Sequence, residues 1–419
     1  MLIAGEPSGD WLGAELVRAL RPALAQRQSS PATDAQPLHT GLVPQFFGAG
    51  GPRMAEAGVE LALDLTTHAV IGLWEVLRNY AKFRRLFGQL LQLAIDRQPD
   101  AIVCVDFSGF NGRLARAVRE HLSAHRSPFY NWRPKLIQYV SPQVWASRPG
   151  RADAMAGNFD LLLSIFPFEK TWYAKRVPEF RVEFVGHPIL DRYAGMETQR
   201  DRADGVPLVL LLPGSRAGEL RRHLPVILPA AKRAAAARKG LYRMVLPDAN
   251  LLPSLTGQLA AEIRRAPGAS AGPADPLAAA RQLANEFLPG LQVQVGGLAE
   301  SLTEATLAIA STGTVTMECA YFGVPTIALY RTSWSTYQIA KRLVQVKFLA
   351  MPNLLANEAI VPEYIQHEAT AENLAREALD LLNSPARRQH MRARLAQVVA
   401  TLGGPGASQR AAQAVLSIL

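Results

Sequence analysis

Cysteine is nearly absent. Cys104 and Cys319 are the only two in 419 residues, and both sit in apolar runs. That excludes a disulfide framework and reads as buried thiols in a reducing compartment. No metal-ligand cluster, tandem repeat or nucleophilic-triad signature occurs. His121 and His125 have ligand-like spacing, but among Ser and Arg they read as solvated side chains. Long apolar runs are missing too, and Met1–Glu6 lacks the basic and apolar regions of a secretory signal, so the expectation is a cytoplasmic protein peripheral to a membrane. Charge is sparse at 19% of residues, which suits a folded α/β chain, and the length suits two domains. Acidic residues are outnumbered 35 to 45, leaving a formal charge of +10. With no nucleic-acid module present, that excess points to anionic lipid or phosphorylated substrates.

What is present is organised around Ile309–Tyr330, which reads as strand end, small-residue turn, short helix and strand. Ser311, Thr312, Gly313 and Thr314 carry little bulk, so a phosphate can approach their N–H groups at a helix N-terminus. Glu318, one helical turn on, is placed to accept hydrogen bonds from a ribose diol. A plain βαβ turn with a Thr cap explains the stretch equally well.

At the other end, the short strand Leu2–Ala4 runs into Gly5–Asp10 and a helix over 11–20. A first strand normally runs about five or six residues, so this one reads as clipped, with a start codon upstream. Its turn is a ligand turn or an ordinary one capped by Ser8 or Asp10. Residues 25–44 read as a surface loop, and Phe46–Arg53 as a structural turn lacking the third glycine of a dinucleotide fingerprint, so no NAD is implied. Residues 69–93 mix large apolar residues with Arg78, Lys82, Arg84 and Arg85. That pattern fits a core-facing helix or one resting among lipid headgroups.

Strand Ala101–Val105 leads to Asp106, a carboxylate that serves as a base in a ligand crevice or as a helix cap. Further strands are expected at Leu136–Val140, Leu161–Ile165, Val182–Val185, Leu208–Leu212, Met244–Pro247 and Leu291–Val295, with a loop over Ser141–Arg148. Pro213–Arg216 turns into a helix that Ser215 can cap, placing Arg216 where a guanidinium can neutralise a leaving diphosphate, a reading preferred to a solvated surface arginine. Residues 265–277 read as a flexible insertion, and the chain as helical from Ala371 on. The domains expected are 1–191, a linker over 192–206, 207–395, and a terminal helix over 396–419 that packs back on the first domain or on a partner.

Gly5–Asp10, Gly48–Met54, Gly72–Val76, Tyr139–Trp145, Phe166–Lys170, Gly186–Pro188, Leu212–Arg216, Ser311–Thr314 with Glu318, and Pro352–Leu355 resemble, in order, the motifs of the lipid-A-disaccharide synthase family. The resemblance implies the α/β GT-B fold, two facing Rossmann-like domains with a cleft between them, and an inverting glycosyl transfer without metal or cofactor. A UDP-activated 2,3-diacylglucosamine would pass its sugar to the 6-hydroxyl of 2,3-diacylglucosamine 1-phosphate, forming a β-1,6 disaccharide. By the same resemblance Asp106 is the base, Arg216 the phosphate-neutralising cation, and Ser311, Thr312, Gly313, Thr314 and Glu318 the UDP site. Glu6, Ser8 and Asn353 would line the cleft, and residues 69–91 would meet acyl chains or membrane. The implied partners are the two acylated sugars and an anionic membrane surface, with no nucleic acid and a homodimer left open.

Two enzymes of the same architecture are the alternatives. A transferase acting on a polyprenyl-linked muramyl intermediate carries a Gly-Gly-x-Gly-Gly-His turn where this chain has Gly-Glu-Pro-Ser-Gly-Asp. A UDP-N-acetylglucosamine 2-epimerase would need no lipid acceptor. A third class, a non-catalytic lipid or nucleotide binder, is disfavoured by the joint presence of Asp106 and Arg216.

Overall fold

A computed structural model describes residues 1–29, 43–66, 80–196, 205–263, 275–344 and 346–419. The Gly72–Val76 motif, residues 69–79 of the basic stretch, the middle of the expected linker and residues 265–274 of the insertion therefore lie outside the described residues, while the rest of the basic stretch opens the helix Tyr80–Arg97. The chain divides into two compact units, Met1–Arg192 with Leu402–Leu419, and Tyr193–Thr401.

Among the described residues the first unit holds seven strands: β1 (Leu2–Ala4), β2 (Phe47–Gly50), β3 (Glu60–Asp64), β4 (Ala101–Val105), β5 (Lys135–Tyr139), β6 (Leu161–Ser164) and β7 (Val182–Phe184). All pair in parallel, in the order β3-β2-β1-β4-β5-β6-β7. The second unit holds β8 (Leu208–Leu212), β9 (Leu241–Leu246), β10 (Leu291–Val295), β11 (Leu307–Ser311), β12 (Thr326–Tyr330) and β13 (Glu363–Ile365). These too are parallel, ordered β10-β9-β8-β11-β12-β13. Strands such as β8 and β11 are buried along their whole length, as parallel strands covered by helices on both faces must be. Each sheet is doubly wound, with its order reversing once, between β1 and β4 and between β8 and β11. Ligands bind outside the carboxyl ends of strands at such a reversal.

Ile3, Cys104, Leu114 and Leu162 centre one core, and Val209, Leu224, Ile227, Leu307 and Leu374 the other. Both cysteines are buried and free, their thiols pushed up to about 12 by burial. The first helix runs Pro7–Ser29, so residues 25–29 are helical rather than loop, carried past Pro22 by a face that packs against the helix Ala407–Leu416. At the insertion, Asp275 caps the helix Pro276–Phe287 through Leu277 N–H and Ala278 N–H, so 275–277 is ordered structure. Within Ser141–Arg148 the residues Val144–Ser147 close a short helical turn because Trp145 is buried there.

Candidate active site

In the first unit Asp106 leaves β4 at the point of reversal. Asp106 and Phe107 both take left-handed backbone angles, φ 49° and 41°, uncommon for such side chains. Two fully buried amides hold that turn. Asn111 Nδ2 donates to the Asp106 carbonyl at 2.9 Å and Gln138 Nε2 to the same oxygen at 3.1 Å, while Asp106 N–H donates to Tyr139 O at 2.8 Å. The helix that follows, Ser108–Ala124, has Phe107 as its N-cap, which leaves the Asp106 carboxyl outside the capping position. Burial raises the pKa of that half-buried carboxyl above its ordinary value, opposed by the Phe107 N–H.

The turn after β1 lies alongside. A Cβ on Gly5 would fall 2.4 Å from Phe107 Cδ1, so only glycine fits. Glu6 is half-buried and Ser8 exposed in the first turn of the helix beyond. Asp10, 2% exposed, accepts from the N–H groups of Gly51, Arg53 and Met54 at 2.7, 3.0 and 3.1 Å. Two motifs far apart in sequence are thus one structure, Gly5–Asp10 ending on the carboxylate that caps the helix Pro52–Glu56.

A second buried carboxylate organises the neighbouring loops. Glu169 accepts from Trp145 Nε1 at 2.9 Å, and its other oxygen lies 2.7 Å from Ser164 Oγ, which itself lies 2.8 Å from Phe166 O. The Ser164 hydroxyl has one proton for two oxygens, so both contacts are satisfied when Glu169 is protonated and donates to Ser164. Burial pushes this carboxyl up to about 7, which agrees. His121 and His125, read as solvated, are half-buried and exposed respectively, and stack at 4.1 Å beside Tyr130, whose hydroxyl meets His121 Nε2 at 3.0 Å. Among the described residues no three His, Cys, Asp or Glu side chains converge as a metal site.

In the second unit the turn after β8 begins the helix Ala217–Ala237. Ser215 does not cap it; the N-cap is Arg216, and Glu219 reaches back to accept Ser215 N–H at 2.8 Å. The reason is register, since the helix begins one residue too late for Ser215 to serve. Gly214 has φ 127°, and a Cβ there would meet Glu219 Oε2 at 2.4 Å. Arg216 is 72% exposed, its guanidinium 3.8 Å from Glu219, so its fork is open to an anion.

The neighbouring turn follows β11. Ser311 is buried as the strand's last residue, and Thr312 N–H is committed to Leu329 O at 3.0 Å. Gly313 and Thr314 are exposed at the start of the helix Thr314–Tyr321, where unpaired N–H groups gather. Glu318 lies one turn on and accepts from Tyr193 OH at 2.5 Å. Tyr193 in turn accepts Tyr321 OH on its carbonyl at 2.8 Å, although the sequence reading put it in a linker. Asn353 is fully buried. Its oxygen accepts Ile360 and Val361 N–H, both at 2.8 Å, and its nitrogen donates to Val361 O at 2.7 Å and Glu363 Oε1 at 2.8 Å. Glu363 also accepts Leu349 and Ala350 N–H, fixing the start of the helix Met351–Ala356, which packs on Thr314–Tyr321. The Asn353 amide is therefore spent on the backbone of 360 and 361 and on the Glu363 carboxylate, and its influence on the turn passes through that packing.

Sequence reading did not find Asn111, Gln138, Glu169, Glu219 or Tyr193. A Gln in the otherwise apolar middle of Leu-Ile-Gln-Tyr139 and a Glu in Phe-Pro-Phe-Glu169 were the available signals, since a polar group in such a run needs partners.

With this geometry in hand, comparison with known proteins is specific. A model of the lipid-A-disaccharide synthetase family matches residues 1–252 and 281–418. The lipid-A-disaccharide synthase of Geobacter sulfurreducens is 36% identical over 432 residues, covering 100% of this chain and 97% of its own. Among solved structures, the glycosyltransferase of kitacinnamycin matches with TM-score 0.57 at 17% identity, covering 100% of this chain and 98% of its own. A UDP-N-acetylglucosamine 2-epimerase from Listeria monocytogenes, described as putative, gives TM-score 0.54 at 15% identity over 99% and 94%. The last two show the fold alone.

Proposed function

This chain belongs to the lipid-A-disaccharide synthase family, and from that premise we propose how its residues divide the reaction. The protein is a glycosyltransferase with lipid-A-disaccharide synthase activity. It transfers 2,3-diacylglucosamine from its UDP donor to 2,3-diacylglucosamine 1-phosphate, releasing UDP. The epimerase alternative keeps only a likeness of fold.

An inverting displacement needs a base for the acceptor hydroxyl and positive charge for the departing diphosphate. Asp106 is the base, its raised pKa bringing it nearer the pH at which a base is both ionised and effective. Arg216 and the exposed N–H groups of Gly313 and Thr314 receive the diphosphate, beside Ser311 and Thr312. Glu318, steadied by Tyr193, accepts the ribose hydroxyls. Glu6 and Ser8, on the turn beside Asp106, meet the acceptor, and Asn353 holds the segment behind the phosphate turn. The observation that carries this reading is topological. Asp106 leaves the sheet of the first unit, and Arg216 and Ser311–Thr314 leave the sheet of the second, each at the strand pair where the order reverses. Both substrates carry acyl chains, so we place the working enzyme at an anionic membrane surface, which its charge of +10 favours.

Asp106→Asn tests the assignment. Disaccharide formation, followed by mass spectrometry, should fall by orders of magnitude while UDP affinity stays unchanged. Near-normal turnover would remove Asp106 from the base role. Arg216→Ala should weaken UDP binding and turnover together, and unchanged UDP affinity by calorimetry would contradict its role.

A further inference from the structure

His223 is fully buried on the helix Ala217–Ala237, and both ring nitrogens are engaged. Nδ1 lies 2.6 Å from the Pro213 carbonyl oxygen, and Nε2 lies 3.1 Å from the Arg331 backbone nitrogen. A carbonyl only accepts and an amide N–H only donates, so the partners assign the proton: Nδ1 carries it, and Nε2 presents a lone pair. Pro213 opens the turn after β8 and Arg331 follows β12, while β11 lies between those strands. One imidazole therefore braces the two turns that flank Ser311–Thr314. Gln366 holds the far side of the same segment, accepting Thr332 N–H at 2.7 Å and donating to Thr332 O at 3.2 Å.

We propose that His223 is the positioning residue of the diphosphate-binding end of this unit, setting the Arg216 turn against the Arg331–Ser333 segment only while its ring is neutral. The proposal rests on the reading of Arg216 and Ser311–Thr314 as the UDP diphosphate site. Its chemistry is a matter of hydrogen-bond polarity. Protonating Nε2 sets one N–H against another, breaks the bond to Arg331, and leaves a cation where no water reaches. Among the described residues, the charged and titratable side chains acting on the ring are Glu219 and Arg222 on its own helix, which pull its pKa in opposite directions, and Tyr330, whose ring centroid is 6.1 Å away; Arg331, beyond β12, meets the ring through its backbone N–H. Burial is the largest influence and holds the pKa below its ordinary value. The neutral ring therefore persists through neutral pH, and the brace is lost as pH falls through the depressed pKa.

Calorimetric titration of the full chain with UDP across the acid range tests this, using His223→Gln, His223→Phe and Arg216→Ala. A carboxamide offers a donor and an acceptor at nearly the ring's separation but does not titrate. His223→Gln should keep wild-type UDP affinity at pH 7.5 and lose less affinity than wild type on acidification, UDP's own ionisation being common to both proteins. His223→Phe keeps the ring's bulk and loses both bonds, and should bind UDP about tenfold more weakly at every pH. Wild-type affinity in His223→Phe, or the same acid dependence in wild type and His223→Gln, would overturn the brace. If His223→Phe fails to fold, the comparison with His223→Gln still decides. Should Arg216→Ala weaken UDP while His223→Phe does not, only the brace is lost; should Arg216→Ala change nothing, the diphosphate site itself is misplaced.

Discussion

Burial lifts the Asp106 carboxyl above the usual carboxylate range, and a base must be ionised to take a proton. The kcat of the enzyme, measured with both substrates saturating, should therefore fall as pH drops through that raised pKa, at a higher pH than an ordinary aspartate gives. An acid limb near pH 4 would contradict this environment for Asp106. The turn that presents it depends on Asn111, which supports a left-handed residue through its carbonyl oxygen. Asn111→Leu should cost about 1–3 kcal/mol in urea unfolding and lower kcat while sparing UDP affinity, since the residues proposed to hold UDP lie in the other unit. Glu169 makes a separate prediction. Its folded pKa is raised to about 7, so the folded state holds a proton that the unfolded state has released, and the stability this confers drains away as pH rises from about 4.5 to 7. Glu169→Gln preserves the neutral pattern of donors and acceptors. Relative to wild type it should gain on the order of 1–3 kcal/mol between pH 5 and pH 8, and a difference that stays flat with pH would refute a protonated Glu169.

Elements here are specified partly by themselves and partly by neighbours. The helix Ala407–Leu416 begins after Gly406, which has no side chain to cap it. Asp191 does so from more than 200 residues away, accepting Gly406 N–H at 2.5 Å and Ser408 N–H at 3.2 Å. Removing that acceptor with Asp191→Ala should destabilise the first unit by about 1 kcal/mol in chemical denaturation, with Asp191→Asn largely restoring it. Equal stability of all three proteins would show the cap to be idle. Long buried strands such as Leu208–Leu212 were legible because a continuous apolar run bounded by turn residues has few other uses. Three strands were not. Glu60–Asp64 and Glu363–Ile365 are sheet edges whose alternate or partial burial carries little hydrophobic signal, and Phe47–Gly50 hides two glycines that read as a turn. Gly48 is there because its φ is 150° and because a Cβ would come within 1.9 Å of Leu2 O on the neighbouring strand.

At the scale of the whole molecule, the positive charge should make itself felt in membrane binding. The protein should sediment with vesicles rich in anionic phospholipid, be released by raised salt, and ignore zwitterionic vesicles. Binding insensitive to salt and to lipid charge would count against a charge-led approach. None of the helices among the described residues is long and apolar enough to cross a membrane. Sequence alone determined the architecture and the family, because apolar strands and small-residue turns recur in one order along the chain and each is a local pattern of adjacent residues. Tertiary structure decided which polar groups act together: Asp10 with Gly51, Asn111 and Gln138 with Asp106, Glu318 with Tyr193, and His223 with Pro213 and Arg331. Most of those pairings join residues distant along the chain, 41 positions apart for Asp10 and Gly51, 32 for Gln138 and Asp106, 125 for Tyr193 and Glu318, and 108 for His223 and Arg331. A hydrogen bond depends on a distance of about 3 Å and on direction, and chain spacing encodes neither.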